Sequence, residues 1–184
     1  GAIRFGAPVT VVKEGPGFAV IDGGHGIGQV IATKAMDIAI QKAHDATVGC
    51  VWVRNANDFT MAGNYSRMAL KHDYIGVSMS NGVPLVAPWG GRDPVFNTNP
   101  HSFAIPAGEE NPIVLDAAMS SVSHGVAIHA ARDKRHLMGN YMIDQTGHAT
   151  EDPAPIIADP HDRNSPQIGS ILPLGPKGFG WLIW

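Results

Sequence analysis

VWVRNANDFTMAGNY, residues 51–65, runs from an apolar strand into a polar loop and then into a small-residue turn that opens a helix. That order of elements points to an α/β chain, and in such folds the residues just past the end of a strand are the ones a ligand can reach. Residues 48–53 are rich in β-branched and aromatic side chains and read as a buried strand, with Cys50 inside it. Arg54, Asn55, Asn57 and Asp58 then cluster at its exit. Asn and Asp also cap helices, so the helix expected over 62–72 accounts for the same residues equally well. Both readings stay open at this point.

Outward from this stretch, residues 9–13 and 18–22 alternate around a Glu-Gly-Pro-Gly turn and predict a β-hairpin. A glycine-rich turn leads into a helix over about 29–45, where Ile31, Ala35, Ile38, Ala39 and Ala43 recur at helical spacing. Downstream, 75–79, 85–87, 102–106 and 113–116 read as strands separated by Pro and Gly clusters. A helix over 120–134 is expected to turn Val122, Val126, Ala130 and Ile128 toward the core. Residues 150–173 are polar, carry many prolines and read as loop. Residues 168–184 stop on an apolar run, so another chain or a continuation is expected to cover Trp181 to Trp184.

With 184 residues, 44% hydrophobic and 16% charged, the chain can bury one sizeable core, which sets the expectation of a single domain over 1–184. A net charge of -3 and a pI of about 6.3 supply no basic field for nucleic acid. The lone Cys50 has no partner for an internal disulfide and fits a space-filling role in a reducing cytoplasm. No apolar run approaches membrane-spanning length, and residues 1–4 carry no signal pattern, so a membrane partner is not expected.

Individual motifs are weak guides. GGHGIG, residues 23–28, lies between a strand and a helix, yet it lacks GxGxxG spacing, and the following strand ends on Arg54 rather than an acid. A tight turn explains it as well. The nine histidines include His124, His129 and His136, whose spacing does not share one helical face, and no HExxH is present. No GxSxG occurs, and Ser120 to Ser123 sit where a helix would begin. The NTNP stretch, 97–100, follows APWGGRD, 87–93; such residues build turns, or offer backbone amides to a carboxylate or phosphate with Arg92 adding charge.

Taken in order, DGGHGIGQ (22–29), VRNANDFTMAGNY (53–65), SNGVPLVAPWGG (80–91), NTNP (97–100), PIVLDAAMSSV (112–122), DQTGHATEDP (144–153) and PLGPKGFG (173–180) resemble the type 2 malate/L-lactate dehydrogenase family, which includes ureidoglycolate, sulfolactate and diketogulonate enzymes. The resemblance covers nearly the whole chain. It implies a mixed β-sheet with flanking helices in a non-Rossmann cofactor domain, NAD or NADP as cofactor, a small 2-keto or 2-hydroxy acid as substrate, and a dimer. By position it implies that Asp58, Phe59, Thr60, Ser80, Asn81, Asp116, Ala117, Ala118 and Ser120 line the cofactor, with Lys177 in a late glycine-rich loop. Thr98 would approach the substrate, and Arg54 would offset charge there.

The departures from the family pattern are specific. Where the family has a catalytic histidine in NHFG, this chain has Asp58 in NDFT. Histidine, with a pKa of ~6.5, exchanges a proton near neutrality, whereas an unperturbed aspartate at ~3.9 is a poor acid. Thr60 and Asn97 stand where the family has glycines, Met119 for a threonine, Val126 for a basic residue and Pro176 for a glycine. The family's N-terminal helical segment and closing C-terminal portion have no counterpart in residues 1–184. The resemblance thus implies an oxidoreductase, with two alternatives: a non-catalytic homologue, or one chain of a split or processed enzyme completed by a second polypeptide.

Overall fold

The computed structural model describes residues 3–154 and 169–175. Their contacts gather into two compact units, Gly1–Ser78 with His101–Asp116 and Met79–Pro100 with Ala117–Trp184.

In the first unit, β1 (Thr10–Gly15) and β2 (Phe18–Gly26) form the expected hairpin, and β3 (Cys50–Ala56) pairs parallel to β2 on its other side. The three-stranded sheet, order β1-β2-β3, is therefore mixed. Ala19, Ile21 and Gly23 alternate as the buried positions of β2, the period of two that a half-covered strand requires. Helix α1 (Gly28–Ala46) covers that face by laying Ile31 and Ala35 on Ile21, with Val9, Ile38 and Val51 at the margin. Full burial of side chains such as Ile21 and Ile31 contributes about 1.5–3 kcal/mol each.

One expectation fails here. Strand β3 is largely exposed, Cys50 with it, instead of buried. Among the described residues its free edge has no neighbouring strand, and α1 reaches only the Val51 side, so Trp52 on the alternate face stands 58% exposed. Partial burial of the sulfur still pushes the Cys50 thiol up, away from reactive thiolate.

The same unit carries a second sheet, order β4-β5-β6, from β4 (Gly76–Met79), β5 (His101–Ile105) and β6 (Ile113–Ala117). The helix expected over 62–72 is realised as a four-residue α2 (Gly63–Ser66) running into a 3-10 turn, Arg67–His72. Buried hydroxyls fasten it to the sheet: Ser66 Oγ lies 2.7 Å from Ser102 Oγ, which donates to the Leu115 carbonyl at 2.8 Å.

In the second unit, α3 (His124–Arg132) starts later than the spacing predicts, because the Ser123 hydroxyl caps it by accepting from Val126 N at 3.3 Å. Ala127 and Ala130 are the buried positions, the second as expected, with Val122 packed against the same core, while Val126, also expected to face the core, is 49% exposed. Both alanines pack with Leu85, Val86, Leu137, Met142 and Ile171. A small antiparallel sheet of β7 (Met142–Ile143), β8 (Ala149–Thr150) and β9 (Ser170–Ile171) has order β8-β7-β9. The strand expected at 85–87 is reduced to single bridges from Val86 to Phe96 and Ile171. Most of the proline-bearing segment, Lys177, Pro176 and the apolar run Trp181 to Trp184 lie outside the described residues. Among the described residues no helix is long and apolar enough to cross a membrane.

Candidate functional site

The first unit builds a loop around Asp58 from three directions. From below, Asn57 Nδ2 donates to the carbonyls of His25 at 2.7 Å and Gly26 at 2.8 Å, tying the loop to the glycine-rich end of β2. That end is an irregular extension of the strand, with Gly24 at φ 58° and His25 at φ 60°. From the side, Gly28 opens α1 against the loop so closely that a Cβ there would sit 2.2 Å from the carbonyl oxygens of both Asn57 and Asp58. From β6, Asp116 Oδ2 accepts from Gly63 N at 2.8 Å and caps α2.

Neither Asn57 nor Asp58 therefore caps the following helix, which removes the capping account of those residues. Asp58 is exposed, and its Oδ1 accepts from Thr60 N at 2.8 Å, a local turn that holds the carboxylate in place. Thr60 itself stands at φ 67°, the left-handed region that glycine tolerates best, at a position where the resembling family carries glycine. Phe59 stacks on Tyr65 with centroids 5.2 Å apart, and the Tyr65 hydroxyl donates to the Phe59 carbonyl. Burial first, and the Asp58 charge with it, pushes the Tyr65 phenol up, so it stays a neutral donor.

Arg54 and Asn55 lie on β3 rather than in the loop, and both turn to Asp22: Arg54 Nε donates to its Oδ2 at 2.8 Å and Asn55 Nδ2 at 2.9 Å. The Gly24 N–H, followed by these two donors, holds the Asp22 carboxyl below its ordinary range. The Nε of Arg54 is thus paired with Asp22, not with Asp58.

The second unit holds the remaining described candidates. Ser80 N donates to Pro100 O at 3.2 Å and Ser80 Oγ to Asn81 O at 2.8 Å, which leaves Asn81 exposed beside it. Thr98 is half-buried, its carbonyl accepting from Met119 N at 2.8 Å. Asn97, on a further glycine position of the family pattern, donates from Nδ2 to Val83 O at 2.6 Å and accepts at Oδ1 from both Thr98 N, 2.7 Å, and the Thr98 hydroxyl, 2.9 Å. Among the described residues Asn99 Oδ1 is buried with no donor. Ala117 and Ala118 are half-buried; Ser120 is buried and donates to Val122 O at 2.8 Å. Arg92 Nε pairs with the adjacent Asp93 at 3.0 Å. Burial pushes the His124 imidazole down, and among the described residues no three His, Cys, Asp or Glu side chains converge as a metal site would need.

The sequence reading set Asp58, Phe59, Thr60 and Asp116 beside one cofactor; in the structure Asp58 holds Thr60 N, Tyr65 holds the Phe59 carbonyl, and Asp116 holds Gly63 N. It missed Gly28 and Asn57 as the supports of that loop, and Asn97 as the lock on Thr98. A glycine opening a helix directly after a strand was the available signal for the first; side-chain bonds between residues 14 positions apart, as from Asn97 to Val83, leave none.

The family model for malate/L-lactate dehydrogenase matches residues 1–184. The L-sulfolactate dehydrogenase of Methanocaldococcus jannaschii is 40% identical over 173 residues, 94% of this chain and 47% of that protein. The malate dehydrogenase of Pyrococcus horikoshii is 36% identical over 183 residues, all of this chain and 48% of that one. Among solved structures, the M. jannaschii sulfolactate dehydrogenase superimposes with a TM-score of 0.78 at 40% identity, over 95% of this chain and 48% of its own. The chain spans about half the length of the relatives it matches.

Proposed function

We propose, on the premise that this chain belongs to the malate/L-lactate dehydrogenase family, that it forms the nucleotide-binding portion of an oxidoreductase that interconverts a 2-hydroxy acid and a 2-keto acid with NAD or NADP, on a non-Rossmann fold. The observation that carries the proposal is the Asp58 loop, braced by Asn57, Gly28 and the Asp116–Gly63 cap so that one carboxylate stands exposed on a fixed backbone. A group that moves a proton needs that fixed placement before it needs anything else.

Bound nicotinamide supplies the hydride acceptor for the oxidation of a 2-hydroxy acid. This chain's part is to bind, orient and take the proton. Asp58 accepts the hydroxyl proton as the C2 hydrogen leaves with its electron pair. Exposed Asn81, with Ser80, offers short polar groups of the kind a nucleotide takes, so the donor chemistry fits. Asp116 and Ser120 already serve the protein's own backbone, and their share in holding the nucleotide is through position. Lys177 belongs to the same proposal on the family pattern alone.

Trp52, Ile113 and Leu115 are more than half exposed, and these apolar side chains support assembly with a second copy. The test of the catalytic assignment is Asp58→Asn, which removes the base and keeps an acceptor for Thr60 N. Turnover is expected to vanish while nucleotide affinity stays within about twofold, the amide being isosteric. Full turnover in Asp58→Asn would refute it; nucleotide binding with no turnover in the wild type favours the non-catalytic reading, which the replaced histidine motivates.

A further inference from the structure

On the reading of Asp58 as the base, on which this rests, we infer that Tyr65 is the positioning residue of its carboxylate: the Tyr65 hydroxyl clamps the far end of the peptide whose N–H holds that carboxylate.

Among the described residues, the exposed Asp58 side chain has one hydrogen bond, from Thr60 N to its Oδ1 at 2.8 Å, so the aim of that N–H sets the aim of the carboxylate. The peptide joining Phe59 to Thr60 is planar, with its C=O and N–H pointing opposite ways, and whatever fixes the Phe59 carbonyl therefore fixes the Thr60 N–H. Two hydroxyls do so. Those of Tyr65 and Thr60 both donate to the Phe59 oxygen, the second at 2.6 Å, and between them they take both of its lone pairs. A carbonyl oxygen can only accept, so the Tyr65 hydrogen must point at it. Burial pushes the phenol up and keeps that hydrogen in place through the neutral range.

The two clamps are not equivalent. Thr60 belongs to the turn it holds and moves with it, whereas Tyr65 reaches back from α2. Tyr65 is 4% exposed, its ring stacks on Phe59 with the planes 8° apart, and Asp116 fastens the start of its helix at Gly63 N. It is the fixed post of the loop.

The peptide needs holding because its own backbone pulls the other way. Thr60 sits at φ 67°, a left-handed conformation that a β-branched residue adopts only under strain. Turning the Phe59–Thr60 peptide over would return Thr60 to negative φ and swing its N–H away from Asp58 Oδ1. Strain favours that flip and the Tyr65 hydroxyl opposes it. Without the clamp the carboxylate spends part of its time misdirected, which harms proton transfer more than it harms binding.

Tyr65→Phe keeps the ring stack and removes only the clamp. Amide hydrogen exchange at Thr60, followed by NMR on the full chain, reads the peptide directly, and initial rates of malate oxidation with NAD or NADP read the consequence. In Tyr65→Phe, exchange at Thr60 is expected to speed up about twofold to tenfold, the worth of one neutral hydrogen bond, and kcat to fall while KM and nucleotide affinity stay within about twofold. Ser66→Ala is the control for a merely structural role: it removes a buried hydroxyl from the same short helix, none of whose bonds reaches Phe59, so both readouts should match the wild type. Unchanged exchange at Thr60 in Tyr65→Phe, or equal acceleration in Ser66→Ala, overturns the positioning role and leaves the Asp58 reading standing. Faster exchange in Tyr65→Phe with kcat unchanged overturns the reading of Asp58 as the base, and the positioning role with it.

Discussion

Replacing Gly28 with alanine tests the bracing of the Asp58 loop most sharply. The added Cβ would lie 2.2 Å from Asn57 O and Asp58 O and 2.5 Å from the Asp58 carbonyl carbon, all backbone atoms that cannot swing aside. Ordinary C···O contact begins near 3.3 Å, so helix and loop must separate by roughly 1 Å. Overpacking of that kind costs about 1–3 kcal/mol, and the better helix propensity of alanine offsets under ~1 kcal/mol of it at the first turn. A net loss of about 1–2 kcal/mol lowers Tm by roughly 2–8 °C in a chain of this length. The same displacement moves Asp58, and a misplacement of about 1 Å is worth on the order of 100-fold in rate. Denaturant melts and steady-state kinetics on the one variant read both effects. Gly125→Ala is the control: its Cβ meets nothing within 4 Å, so at this position in α3 it should stabilise by about 0.5–1 kcal/mol and spare activity. A Gly28→Ala protein as stable and as active as the wild type would refute the reasoning.

Asp116→Ala should destabilise by about 1–2 kcal/mol, because it strands the N–H of buried Gly63, whereas Asp116→Asn keeps an acceptor and should stay within ~0.5 kcal/mol; urea melts separate the two. Thr60→Gly relieves a left-handed β-branched residue, worth about 1–2 kcal/mol, against glycine's entropy loss of about 0.5–1 kcal/mol, so a gain of roughly 0.5 kcal/mol is expected in the same assay. Asp22 has a folded pKa below its unfolded one, so its contribution is present above pH ~4 and disappears as pH falls through the lower folded value. Asp22→Asn should therefore melt below the wild type at pH 7, with the gap closing under acid conditions; a gap independent of pH would contradict the charge argument.

What the sequence made legible was local. The 9–22 hairpin, α1 with Ile31 and Ala35, and the strands after 75 follow from periodicity and turn chemistry, which neighbouring residues encode. What it hid depends on distant partners. Whether β3 is buried is decided by what lies along its edge, and hydrophobicity alone assigned Cys50 to an interior that the described residues do not build. The start of α3 turned on Ser123 rather than Ser120 supplying the cap, a choice among serines three positions apart that spacing cannot make. In the site, Asp58 was visible as a polar residue past a strand, but Asp116 reaching Gly63 across 53 residues was not, and the left-handed backbone at Thr60 needed coordinates to be seen.

The central claim is that this chain holds a nicotinamide dinucleotide. Titration with NADH and NADPH, followed by fluorescence transfer from tryptophan to the nicotinamide, measures it directly. Saturable binding of one or both, retained in Asp58→Asn, is the predicted result; no binding of either nucleotide at millimolar concentration would contradict the account.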